Sequence, residues 1–213
     1  MTVKKIHFLA LALAAVAFGA CQKEPSISGL QKDYLVYTAY DNDTDFSALE
    51  TYYLPDSILL IGNSDKTEYW KDADALEIVG TVAAKMDAMG YTRLDEKQDA
   101  DVGLQLSYVQ KVTYFVGYDY PYWWWYYPYY WTPGYWGDWI GWHYPYRVYY
   151  GYTAGTLLME MLDLKTEGDS SKKLPVIWDS FIGGLRTSSQ KINEQRTLTA
   201  VEQAFEQSPY LEK

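Results

Sequence analysis

The sequence predicts an α+β domain, an antiparallel sheet with two helices packed on one of its faces and an aromatic-rich hairpin extension. Three features carry this expectation. Ala73 to Met89 repeats apolar side chains at helical spacing, a second and less complete stripe runs from Ser188 or Ser189 to Ser208, and shorter runs alternate with the period of two that suits strands. The two helices with an antiparallel sheet give the α+β packing.

The elements follow in order from the N-terminus. Lys4 and Lys5 precede an apolar run, Ile6 to Phe18, broken by His7. It is too short to cross a ~30 Å hydrocarbon core as a helix and reads as a secretory signal. Gly19 and Ala20 then lead to Cys21, the single cysteine of the chain. The arrangement resembles the lipobox of bacterial lipoproteins, with Phe18 where leucine is usual. The expectation is a signal peptide over residues 1–20, cleavage before Cys21 and lipid on that cysteine; the plainer alternative is a free thiol near a cleavage site. One cysteine leaves no internal disulfide. Gln22 follows in place of the aspartate familiar as an inner-membrane retention signal, so an outer-membrane address is expected, with the periplasmic or surface-facing side open.

Gln22 to Asp33 is largely polar and reads as a tether. From residue 34 to 213 a single domain is expected. Leu35 to Tyr40 is a first strand, Asp41 to Asp45 a turn, and Thr51 to Leu54 and Ile58 to Ile61 short strand pieces separated by Pro55. In the first helix Leu76, Val79, Ala83 and Met86 form the apolar stripe, Asp72 or Asp74 caps the start and Gly90 ends it. Val102, Leu104, Leu106 and Tyr108 alternate with Gly103, Gln105 and Ser107 in a strand running on to about Val116 with one buried face. Leu157, Met159 and Met161 alternate with Thr156, Leu158 and Glu160; a polar turn from Lys165 to Lys173 and the run Val176 to Ile182 complete a hairpin. The last helix uses Ile192, Val201, Ala204 and Phe205 and stops at Ser208-Pro209, because a residue before proline disfavours helix.

Charge narrows the partners. Asp and Glu number 28 against 18 Lys and Arg, a formal net charge of -10. No basic stripe is present, so nucleic acid is not an expected partner. The same balance gives no attraction to anionic headgroups, and membrane attachment rests on the acyl chains at Cys21, of which more than one is normally needed.

Catalytic and metal patterns are not found. After cleavage His143 is the sole histidine, so neither a His/Cys metal site nor a Ser-His-Asp arrangement is expected. Asp41, Asp43 and Asp45 have the opening spacing of a calcium loop, but Phe46 and Tyr52 stand where its glycine and closing glutamate belong. Paired carboxylates cannot be located from sequence alone. Gly183-Gly184 lacks the rest of a phosphate-binding loop. No catalytic residue, metal or cofactor is assigned.

Several short pieces, in their order and spacing, resemble the domain-of-unknown-function family numbered 4136, found in lipoproteins of Gram-negative bacteria. They are Asp45-Phe46-Ser47, Thr51-Tyr52, Gly90-Tyr91, Ala100-Asp101-Val102, Gly155-Thr156-Leu157 with Asp163, Val176-Ile177-Trp178, and a closing helix that ends at Pro209. The resemblance implies a small α+β envelope domain and carries no activity or catalytic residue with it.

The most specific feature is an aromatic low-complexity insertion at about 114–152, with seven of the nine tryptophans. Tyr-Pro-Tyr recurs, and Gly134, Gly137 and Gly141 interrupt it, so no single long strand or helix fits. Trp123, Trp124 and Trp125 are consecutive and would alternate faces in an extended chain. Three readings stand: a self-packed extension that stiffens its own loop, a recognition surface for an envelope protein or a glycan, with Asp119, Asp138 and Arg147 taking hydroxyl hydrogen bonds, and contact with lipid headgroups. Trp123, Trp124, Trp125, Trp131, Trp136, Trp139 and Trp142 are the expected contact residues. The functional expectation is a lipid-anchored, non-enzymatic envelope protein of binding or structural role, with a glycan-binding or glycan-processing module as the alternative.

Overall fold

A computed structural model describes residues 34–61, 68–110, 136, 141–146, 154–166, 173–186, 188 and 190–213. Among them, nine strands join in one sheet. Strands β1 (Leu35–Tyr40), β2 (Thr51–Tyr53), β3 (Ile58–Ile61) and β4 (Glu68–Trp70) precede helix α1 (Ala73–Ala88). Strands β5 (Thr92–Arg93), β6 (Val102–Val109), β7 (Gly141–His143), β8 (Thr156–Asp163) and β9 (Lys173–Gly183) follow, and helix α2 (Gln190–Glu206) comes last. The main order across the sheet is β1-β9-β8-β6-β2-β5.

The centre is antiparallel, as the alternating sequences require. Strand β8 lies between β6 and β9 and pairs along most of its length with both, and β1 extends the sheet beyond β9. The flanks correct the expectation of a purely antiparallel sheet. Strands β2 and β3 both run parallel to β6, sharing its outer edge at opposite ends, and β2 is also parallel to β5. The reason is the helix between them: a connection through α1 returns the chain to the sheet in the same direction, which a tight hairpin cannot do.

Both helices cover one face, as expected. Helix α1 begins where the Asp72 carboxylate accepts from the Ala75 N–H at 3.1 Å, and Gly90 follows its end at φ 95°, a left-handed conformation that a side chain would strain. Its buried stripe is Ala75, Ile78, Val79, Val82, Ala83 and Met86. Leu76, expected on that stripe, sits at its margin and is 49% exposed. Helix α2 begins at Gln190 and buries Ala200, Val201, Ala204 and Phe205, together with the less expected Arg196 and Thr197. Beneath the helices lie Leu104, Leu106, Leu157, Met159, Met161 and the fully buried Trp178. The Trp178 indole donates to Ser208 Oγ at 2.9 Å, and that hydroxyl donates to the Ala204 carbonyl at 2.9 Å. The residue that ends α2 thus also satisfies the largest ring in the core.

The second face departs most from the sequence reading. Gly103, Gln105 and Ser107, the small and polar half of the β6 alternation, are buried as thoroughly as the apolar half. Their cover comes from the aromatic insertion. Trp136, Trp142 and Tyr144 pack on Leu158, Leu162, Leu174, Val176 and Phe181 as a second apolar cluster. Strand β7 runs parallel to the start of β9, so the described part of the insertion closes over the sheet; the rest of the expected aromatic-rich hairpin extension lies outside the described residues. Apolar side chains on both faces of β8 and β9 make that cover favourable. Gly103 permits it: a Cβ there would stand 2.4 Å from the Trp136 ring.

Candidate functional site

Among the described residues, two places bring polar chemistry together. On the second face, Gln105, Glu160 and Asp179 form a row across β6, β8 and β9, each directly opposite the next. All three are buried, Glu160 and Asp179 to 1% exposure. The Tyr144 hydroxyl donates to Glu160 Oε1, and the Tyr146 hydroxyl donates to Asp179 Oδ1 at 2.7 Å. Removal from water pushes the Glu160 carboxyl up to about 7; Tyr144 pulls the other way, Asp179 adds to the rise and Trp142 opposes it. Burial likewise holds the Tyr146 hydroxyl well above the ordinary tyrosine range, with Asp179 reinforcing it. The row is a Glu with a raised carboxyl beside a second carboxyl, sealed beneath aromatic rings. It has the composition of a paired-carboxylate site but no described opening to a substrate.

The open concavity lies on the helix side, where the first turns of α1 and α2 meet the β3, β4 and β6 end of the sheet. It is a cleft of about 310 Å³. Its apolar corner is made by Trp70 and Tyr108, whose rings meet edge-to-face at 5.4 Å and 62°. Asp72, Asp74, Gln110, Gln190, Asn193 and Glu194 supply its polar lining. Several are already oriented. Asp72 caps α1 and accepts from the Trp70 indole, and Gln190 Nε2 donates to Asp74 Oδ2 at 2.9 Å. Gln110 Oε1 is buried and has no hydrogen-bond partner among the described residues. Burial raises the Tyr108 hydroxyl above its ordinary range, and the Arg186 charge partly offsets this, so the phenol stays neutral.

The expected contact residues divide. Trp136 and Trp142 are 5% and 4% exposed and belong to the second core, so their rings are packing and not contact surface. Trp123, Trp124, Trp125, Trp131 and Trp139 lie outside the described residues, as do Cys21, Asp119, Asp138 and Arg147. The acidic turn uses its carboxylates locally: Asp41 accepts from the Asp43 N–H and the Thr44 hydroxyl, and Asp45 accepts from Ser47. Among the described residues no three metal-ligating side chains gather.

Residues 36–210 match the model of a family described as "Domain of unknown function (DUF4136)". The chain belongs to the DUF4136 family. A solved DUF4136 family protein from Bacteroides thetaiotaomicron VPI-5482 is 45% identical, with a TM-score of 0.76, over 84% of this chain and 98% of that one. A PDZ domain protein from Parabacteroides distasonis ATCC 8503 is 12% identical with a TM-score of 0.34, covering 82% of this chain and 36% of its own. No curated protein matches the chain.

Within this DUF4136 domain two of the short pieces that carried the resemblance, Thr51-Tyr52 and Ala100-Asp101-Val102, touch one another. Asp101 Oδ2 accepts from the N–H groups of Glu50 and Thr51 and from the Thr51 hydroxyl, each at 2.9 Å. Burial alone would raise that carboxyl; the hydrogen bonds, with Lys165, outweigh it and hold it below the usual carboxylate range. This clasp fixes β2 against the start of β6. The cleft itself was missed in the sequence, and its signal was slight: Trp70 two residues before a capping aspartate.

Proposed function

We propose that this DUF4136 protein is a lipid-anchored, non-enzymatic binding protein of the bacterial outer membrane, held by acyl chains on Cys21 and presenting the helix-side cleft to an envelope partner. The observation that carries the binding role is the convergence of two aromatic rings and six planar polar side chains on one cleft, the usual make-up of a ligand site. The non-enzymatic reading is supported by the strongest carboxylate pair, Glu160 and Asp179, being sealed beneath Tyr144 and Tyr146. The anchor is supported by the basic, apolar and small-residue sequence that ends at Cys21. The polar composition of residues 22–33 suits a tether between that cysteine and the domain.

Labelled palmitate and membrane fractionation test the anchor. The full chain expressed in a Gram-negative host is expected to take up label and sediment with the outer membrane, and Cys21→Ser to do neither. A cleaved, unlabelled chain released into the periplasm would contradict the reading.

A further inference from the structure

We propose that the helix-side cleft is a subsite for one ring of a neutral saccharide, which stacks on Trp70 and Tyr108 and hydrogen-bonds through its hydroxyls to the surrounding carboxyl and amide groups. The inference rests on the binding role proposed above and names its ligand. Four observations converge on it.

Trp70 and Tyr108 are half-buried and meet at 62°, so together they form a corner with an apolar floor and wall. Sugar rings carry patches of C–H on an otherwise polar body, and such a patch fits an aromatic face. Flat, bidentate side chains stand around that corner. Asp74 and Glu194 accept, while Gln110 and Asn193 both donate and accept, which suits vicinal hydroxyls that must do both. Asp74 is held in place by Gln190, so part of this lining is set before a ligand arrives.

The third observation is Gln110 Oε1, buried without a partner among the described residues. A buried amide oxygen left unsatisfied is costly, and a turn of the Gln110 side chain towards the cleft would let a ligand hydroxyl supply the missing donor.

Charge decides the class. Among the described residues, Asp72, Asp74 and Glu194 line the cleft and no Lys or Arg does, which disfavours phosphorylated, sulfated or uronic sugars. A quaternary ammonium would also suit aromatic rings and carboxylates. Against it, both helices aim their N-terminal turns at the cleft, each end bearing about half a positive charge, and the Arg186 charge reaches Tyr108. These positive fields offset part of the carboxylate charge, and choline is therefore tested beside the neutral sugars as the competing class.

Calorimetric titration of the lipidated chain in a polyoxyethylene detergent, itself neither sugar nor ammonium, tests this. The probes are cellobiose, maltose and the N-acetylglucosamine dimer, with a sulfated disaccharide and choline alongside. Saturable binding of at least one neutral disaccharide is expected, weakened at least about tenfold in Trp70→Ala, where the stacking surface is lost. Glu194→Gln keeps the size of the side chain and is expected to weaken binding less than Trp70→Ala. Choline binding that depends on Trp70, without sugar binding, would overturn the ligand class and leave the binding role standing. Sugar binding indifferent to both substitutions would overturn the site. No binding of any probe would overturn the proposal, and palmitate labelling would still report separately on the anchor.

Discussion

Replacing Glu160 with glutamine should change the pH dependence of stability more than stability itself. The carboxyl sits on the second face with Asp179 opposite on β9, Gln105 opposite on β6, and Tyr144, Tyr146 and Trp142 as its cover. Burial moves it from 4.5 to about 7. A carboxyl whose folded value is raised holds its proton longer in the folded state than in the unfolded chain. Its contribution is therefore fully present below 4.5, declines as pH rises towards about 7, and is gone above that. At ~1.4 kcal/mol per pH unit, the interval amounts to about 3 kcal/mol. Glutamine keeps the shape and an acceptor for the Tyr144 hydroxyl but cannot ionise. Denaturant unfolding of residues 34–213, the larger of the chain's two compact units, at pH 5 and pH 8 reads the effect. The wild type is expected to lose about 2.5 kcal/mol more than Glu160→Gln between the two conditions, since part of the interval lies below pH 5. Parallel falls in the two proteins, or a wild type equally stable at both, would refute the reasoning.

Two further substitutions probe the two cores. Gly103→Ala places a methyl group against the Trp136 ring, where the present clearance to a Cβ is 2.4 Å; it should cost about 1–3 kcal/mol by overpacking and raise acrylamide quenching of tryptophan fluorescence, and an unchanged quenching curve would show that the ring does not lie on β6. Ser208→Ala removes the acceptor of the buried Trp178 indole and should lower unfolding free energy by about 1–3 kcal/mol without changing the denaturant slope, as seen in urea titration.

What the sequence disclosed, and what it concealed, follows from how far each interaction reaches along the chain. Helix α1 was legible because its stripe, its Asp72 cap and its Gly90 stop all lie within a few residues of one another. The β6 and β8 strands were legible from local alternation, and the ending at Ser208-Pro209 from proline geometry. The parallel pairing of β2 and β3 with β6 was not, since it depends on where a long connection through α1 returns. Burial of Gln105, Ser107 and Glu160 was concealed for the same reason: a polar residue at every second position reads as a wet face until Trp136, Trp142 and Tyr144 arrive from elsewhere in the chain to cover it. Glu160 did leave a trace, being flanked on its own face by Leu158 and Leu162. Concentrated tryptophan suggested a contact surface, yet the two described rings are core. The cleft drew no notice because Trp70, Tyr108, Asn193 and Glu194 come from three separate elements.

Hydrogen exchange read by mass spectrometry, on the lipidated chain with and without a saturating neutral disaccharide, tests the central claim most directly. If ligand is held in the helix-side cleft, amide exchange should slow across the start of α1 and the first turns of α2, around Trp70 to Leu76 and Gln190 to Thr197, while Trp142 to Tyr146 is unchanged. Protection confined to Trp142 to Tyr146, with the helix starts exchanging as before, would move the binding site to the aromatic cover and contradict the account.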